Sequence, residues 1–166
     1  LPFVDSDHAI ENRLGCSVRE YFEREGEDRF RDLESDVLAD LCHHHHGVLS
    51  TGGGSVLRPI NRERLREHGH VFYLRSSPEE VFRRLRNDQN RPLLQVSDPQ
   101  ARLRELLDVR DPLYRETAHY VIETGRPNVA GLVNMIVSQL ELAGHIKPVS
   151  PPSPADRPRV SPPHRI

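Results

Sequence analysis

Lysine is almost missing from this chain. Of 23 basic residues only Lys147 is not arginine, so a function needing a buried catalytic lysine must use that one or do without. There is no tryptophan, and the one methionine is Met135. Apolar runs end after a few residues, which excludes a bilayer-spanning helix. The start, LPFVDSD, has neither the basic nor the apolar stretch of a secretory signal. Two cysteines, Cys16 and Cys42, lack any metal-ligand spacing and suit free thiols in a reducing cytoplasm. A net charge of −2 offers no positive field to nucleic acid. These absences leave a cytoplasmic protein with no membrane or nucleic-acid partner, expected to be a monomer.

At 166 residues the length suits one domain. Residues 148–166 hold 7 of the 14 prolines and show no apolar periodicity. The expected organisation is a folded domain over 1–147 and a Pro/Ser-rich disordered tail over 148–166.

Within the domain, strand and helix signals alternate. Leu1–Asp5 reads as a strand end running into an acidic turn, Asp5-Ser6-Asp7. Ser17 is an N-cap candidate with Glu20 three residues on. After Gly26, Phe30, Leu33, Val37, Leu38 and Leu41 recur at helical spacing. Gly47–Thr51 reads as a buried strand that stops at Gly52-Gly53-Gly54. A short helix is predicted from Pro59 to Glu67, and a second buried strand over Val71–Leu74. Ser77-Pro78-Glu79-Glu80 opens another helix, broken at Arg91-Pro92. Helical spacing resumes from Asp98 to Arg110. Tyr120–Glu123 is the fourth strand, and Val129–Leu142 the closing helix. Strands separated by helices imply parallel pairing and an α/β fold.

In such sheets ligands bind beyond the carboxyl ends of the strands. That rule selects the Asp-Ser-Asp turn, the triple glycine and whatever follows Leu74. Carboxylates two residues apart can accept hydrogen bonds from a polyol and hold Mg²⁺ through water, or one of them can cap the next helix. The glycines either expose backbone N–H groups to a ligand or form a flexible turn. They are not a phosphate loop, because no lysine and Ser/Thr follow at the GxxxxGK[ST] offset. Arg31, with Glu34 three residues later on one helix face, and Arg110 each present a planar fork suited to a carboxylate. Arg91 lies in a polar loop, 87–98, of lid length.

Taken together, these motifs resemble shikimate kinase. They are Phe3-Val4-Asp5-Ser6-Asp7 with Ile10-Glu11, Gly26-Glu27 with Phe30-Arg31 and Glu34, Leu49–Gly54, Arg91-Pro92-Leu93-Leu94, and Arg110 ahead of Pro112-Leu113-Tyr114. They fall in the family's order from residue 1 to about 142.

The resemblance implies a parallel-sheet P-loop kinase fold of the nucleoside-monophosphate-kinase type. It also implies ATP-dependent phosphorylation of the 3-hydroxyl of shikimate, with Mg²⁺, on the route to chorismate and the aromatic amino acids. Carried over residue by residue, Asp7 holds the substrate hydroxyls and accepts the attacking hydroxyl's proton. Arg31 and Arg110 grip the carboxylate, Gly53 offers a backbone contact, and Glu34 orients Arg31. Arg91 closes onto the ATP phosphates, Asp5 reaches Mg²⁺ through water, and a further nucleotide contact falls on Arg126, nearest by type, or on Pro127.

One departure stands out. The family's first strand and its lysine-bearing phosphate loop precede the position that is Leu1 here, and neither occurs in these residues. That strand is the central one of the family's sheet, so its absence is expected to divide the sheet into two pairs. The chain as written is accordingly expected to be an N-terminally incomplete, inactive form of a kinase, with the sequence upstream of Leu1 as the discriminator. Two rival functions are a shikimate-binding domain without turnover and another small-molecule kinase of this fold, such as a gluconate kinase. His43–His46 is either a transition-metal tract or a solvated loop with some helix-dipole benefit.

Overall fold

The computed structural model describes residues 1–85, 96–125 and 128–148. Arg91, Arg126 and most of the Pro/Ser-rich tail lie outside the described residues. The chain divides into two compact units, 1–126 and 127–166.

The first unit begins with β1 (Phe3–Asp5), which runs directly into α1 (Ser6–Leu14). α2 (Val18–Glu25) and the 18-residue α3 (Glu27–His44) follow. Gly26 joins them with φ of +86°, a conformation that a side chain would strain. Ser17 caps α2 by accepting the Glu20 N–H at 3.1 Å, as its sequence position suggested. The apolar stripe of α3 is buried against α1 and α2 through Ile10, Phe30 and Val37, ringed by Leu14, Val18, Tyr21, Phe22 and Leu41. That helical cluster is the floor on which Arg31 and Glu34 stand.

β2 (Val48–Ser50) pairs in parallel with β1, Asp5 opposite Ser50. The glycines come next, then a 3₁₀ turn (Ser55–Leu57) and α4 (Pro59–His68). β3 (Phe72–Arg75) leads through Ser77, which caps the Glu80 N–H, into α5 (Pro78–Leu85). β4 (Tyr120–Glu123) pairs in parallel with β3, Leu74 opposite Ile122. Among the described residues the strands form two separate two-stranded sheets, β1–β2 and β3–β4. This is the division that the sequence led one to expect. In the second unit, α7 (Val129–Leu142) is capped by Asn128, whose side chain accepts the Gly131 N–H at 2.8 Å.

Two elements depart from the sequence reading. The acidic turn at Asp5-Ser6-Asp7 is the first turn of α1, a helix whose few apolar residues hid its period. The helix expected to end near Arg110 is α6 (Pro99–Thr117), which continues through Pro112. A proline costs a helix one N–H and crowds the preceding turn. Here Pro112 and Asp108, whose carbonyl loses that bond, are both exposed to water. Downstream, Arg115 bonds Asp111 at 2.8 Å, and Arg66 of α4 donates to the carbonyls of Glu116, Thr117 and Ala118 at 2.9–3.2 Å. Those last carbonyls have no partner within the helix, so the guanidinium caps it from outside.

Candidate active site

Three glycines stand beyond the end of β2, and each meets a different functional side chain. A Cβ on Gly52 would lie 3.0 Å from Asp7 Oδ1 and 3.6 Å from Glu34 Oε1. One on Gly53 would lie 2.9 Å from Tyr114 Oη and 3.6 Å from an Arg110 Nη1. On Gly54 it would overlap the Arg31 guanidinium. The glycines are there because α1, α3 and α6 bring their polar side chains to the main chain itself.

These groups line one cavity of about 430 Å³ together with apolar residues such as Val18, Phe22 and Leu103. A cavity of this size, mostly apolar with a few convergent polar groups, suits a small molecule.

The two arginines differ in state. Arg31 is 8% exposed and Glu34 1%, and Arg31 Nη1 donates to Glu34 Oε2 at 2.7 Å. The other Glu34 oxygen accepts from Ser55 Oγ at 3.1 Å. Glu27 adds a longer contact to Arg31 Nη2 at 3.5 Å, and the guanidinium rests 5.1 Å from the Phe30 ring centroid. The Arg31 Nε is buried with no hydrogen-bond partner among the described residues. Arg110 is half-buried, and among the described residues no hydrogen bond or ion pair engages its guanidinium. One fork is fixed in place and the other keeps its donors open.

Asp5 does what the simpler of its two sequence readings said. Its Oδ1 accepts the N–H groups of Asp7 (2.9 Å) and His8 (3.3 Å), capping α1. That cap in turn sets Asp7 in the first helical turn, facing Gly52. The structure thus brings Asp7, Arg31, Glu34, Gly53 and Arg110 to one place.

Three residues escaped the sequence reading. Ser6, fully buried, accepts the Gly52 N–H on its Oγ at 3.2 Å. Ser55, also fully buried, supports Glu34. Tyr114 donates to the Gly53 carbonyl at 2.7 Å. Its signal was the four-residue interval from Arg110, which places both on one helix face only if the helix passes Pro112.

Around Tyr114, Tyr73 packs with ring centroids 4.9 Å apart and donates to Asp111 Oδ1 at 2.8 Å. The Arg115 hydrogen bond, helped by those of Tyr73 and Arg75, holds the Asp111 carboxyl below its usual pKa against the opposing effect of burial. Burial, reinforced by Asp111, pushes the Tyr73 phenol well above its usual value, so it remains a donor.

His43 and His44 occupy the last turn of α3, each ring bonded to a carbonyl one turn back. Among the described residues no group of three or more His, Cys, Asp or Glu side chains is arranged to hold a metal ion. No described helix is long and apolar enough to cross a membrane. Cys16 and Cys42 are free and half-buried.

Comparison with known proteins points one way. Residues 1–141 match the family model for shikimate kinase. The chain is 55% identical over 157 residues to a shikimate kinase of Ralstonia nicotianae, covering 95% of this chain and 83% of the relative. It is 59% identical to one of Paracidovorax citrulli, with coverage of 93% and 84%. Among solved structures, a shikimate kinase from Acinetobacter baumannii in complex with shikimate superposes with a TM-score of 0.80. That protein is 46% identical, with 87% of this chain and 80% of the other covered.

Proposed function

The chain belongs to the shikimate kinase family, and we propose that the cavity at the triple glycine is where it holds shikimate for phosphorylation. The family's reaction is transfer of a phosphoryl group to shikimate, with ATP as the donor its membership implies. The observation that carries the site is the convergence of Asp7, Arg31 and Arg110 on one glycine turn.

Shikimate presents a carboxylate and a set of hydroxyls, and the cavity offers a counterpart to each. Arg31, oriented by Glu34, and Arg110 take the carboxylate between two forks, an arrangement that fixes direction as well as charge. Asp7 accepts from the hydroxyls and takes the proton of the 3-hydroxyl as it attacks. Gly53 contributes a backbone contact at the bottom of the ring. Phosphoryl transfer asks little covalent help of a protein beyond positioning and positive charge on the phosphate oxygens. Arg91 supplies that charge at the transferred group, and Arg126 contacts the nucleotide.

When bound, ATP would bring the phosphoryl group and Mg²⁺ would supply positive charge to its oxygens. The described residues fit a metal held chiefly by phosphates, as Mg²⁺ commonly is, rather than by a protein cage. Asp5, with its Oδ1 on the helix cap, would hold it through water. The free thiols suit a cytoplasmic location.

Calorimetric titration of the chain with shikimate and with gluconate tests the substrate. Shikimate is expected to bind saturably and at least tenfold more tightly, since its ring holds carboxylate and hydroxyls in one fixed arrangement that open-chain gluconate must lose rotational freedom to reach. Tighter binding of gluconate would move the chain to a different substrate.

A further inference from the structure

The backbone of the glycine turn has six polar groups, and four have partners. The Gly52 N–H goes to Ser6 Oγ, and the Gly52 carbonyl accepts the Ser55 N–H at 3.1 Å. The Gly54 carbonyl accepts the Leu57 N–H at 3.0 Å, and the Gly53 carbonyl accepts Tyr114 Oη–H. Among the described residues, that leaves the N–H groups of Gly53 and Gly54. Two adjacent backbone donors beside a cavity receive oxygen atoms well.

The Gly54 N–H lies in the same peptide plane as the Gly53 carbonyl, and on the opposite side because the bond is trans. Whatever holds that carbonyl also aims that N–H. Glycine has no side chain to resist rotation of the plane, so an external tether is required.

We propose that Tyr114 is that tether, a positioning residue that orients the Gly53–Gly54 peptide so that its N–H meets shikimate; this rests on the substrate site proposed above. It sits four residues from Arg110 on one face of α6, so a single helix carries both an open charge and the turn's tether. A tilt of α6 would move both together. The Tyr73 ring, 4.9 Å away, holds the phenol in place, while the Tyr73 hydroxyl is committed elsewhere, to Asp111.

Tyr114→Phe removes one hydroxyl and keeps the ring packing. Shikimate affinity is expected to fall roughly three- to tenfold, the scale of one neutral hydrogen bond. Melting temperature should hold, and in a form extended upstream of Leu1 to carry the family's phosphate loop the change should fall on KM for shikimate and spare kcat and ATP affinity. Tyr73→Phe, which deletes a β3 hydroxyl bonded to the same helix at Asp111 but not to the turn, is expected to leave shikimate affinity unchanged. If Tyr73→Phe weakened shikimate as much, the effect would be general loosening of α6 and the proposal would fail. It would equally fail if Tyr114→Phe bound shikimate normally while Arg110→Ala did not. Unchanged shikimate affinity in both Arg110→Ala and Tyr114→Phe would overturn the substrate site and this proposal together.

Discussion

Glu34 holds Arg31 from below: one carboxylate oxygen accepts the guanidinium at 2.7 Å, and the other is taken by the buried hydroxyl of Ser55. Both charges are almost out of water, so removing one strands the other. Glu34→Ala should destabilise the fold by about 3–5 kcal/mol, the cost of an uncompensated buried charge. Urea denaturation measures it. A loss below 1 kcal/mol, the scale of a surface pair, would show that solvent reaches Arg31 after all.

Gly54→Ala places a methyl group where the Arg31 guanidinium already sits. The buried fork has little room to retreat, so the arginine must swing out of its contact with Glu34. Shikimate affinity is expected to drop by at least tenfold, with a lower melting temperature. Calorimetry on the variant checks both, and unchanged binding would show that Arg31 does not contact the substrate.

Arg110→Ala acts differently, because its guanidinium has no protein partner to abandon among the described residues. Stability should barely change. Shikimate affinity should fall roughly 10- to 150-fold, as for one lost charge-assisted hydrogen bond, while ATP affinity is preserved in a form extended upstream of Leu1 to carry the phosphate loop. Equal losses for both ligands would contradict a carboxylate clamp.

Acid should weaken the α6 end of the site. The folded Asp111 pKa is depressed below its usual value of 3.8, so its pairing contributes stability above that value and loses it as pH falls through the folded pKa. The melting-temperature gap between the parent chain and Asp111→Asn is expected to be full at neutral pH. It should close progressively once pH drops below about 4. A gap independent of pH would show that the carboxylate charge plays no part.

Much of this was legible in the sequence, for reasons that also explain what was not. The α3 stripe declares itself because Phe30, Val37 and Leu41 repeat at helical spacing, and Arg31 with Glu34 follows from the same period. Asp7 and the glycines were found through the rule on strand ends. Ser6 was not, because its partner Gly52 is 46 positions away and local pattern carries no trace of such a meeting. Tyr114 was named only within the Pro112-Leu113-Tyr114 motif, because the helical spacing was followed no further than Arg110, and the capping by Arg66 that steadies the terminus comes from another helix. The cap formed by Asp5 was one of the two roles that the sequence offered for that turn.

The glycine turn has a consequence for how this chain can evolve. Three consecutive codons each guard a different neighbour: Asp7 at Gly52, Tyr114 and Arg110 at Gly53, Arg31 at Gly54. Substitutions there should be rejected side by side but for unrelated reasons, and second-site compensation should separate them. A smaller residue at position 114 makes space for a side chain at position 53. Lysine at position 31 would make space at position 54 and keep the charge but lose the planar fork, so that codon should have no full suppressor.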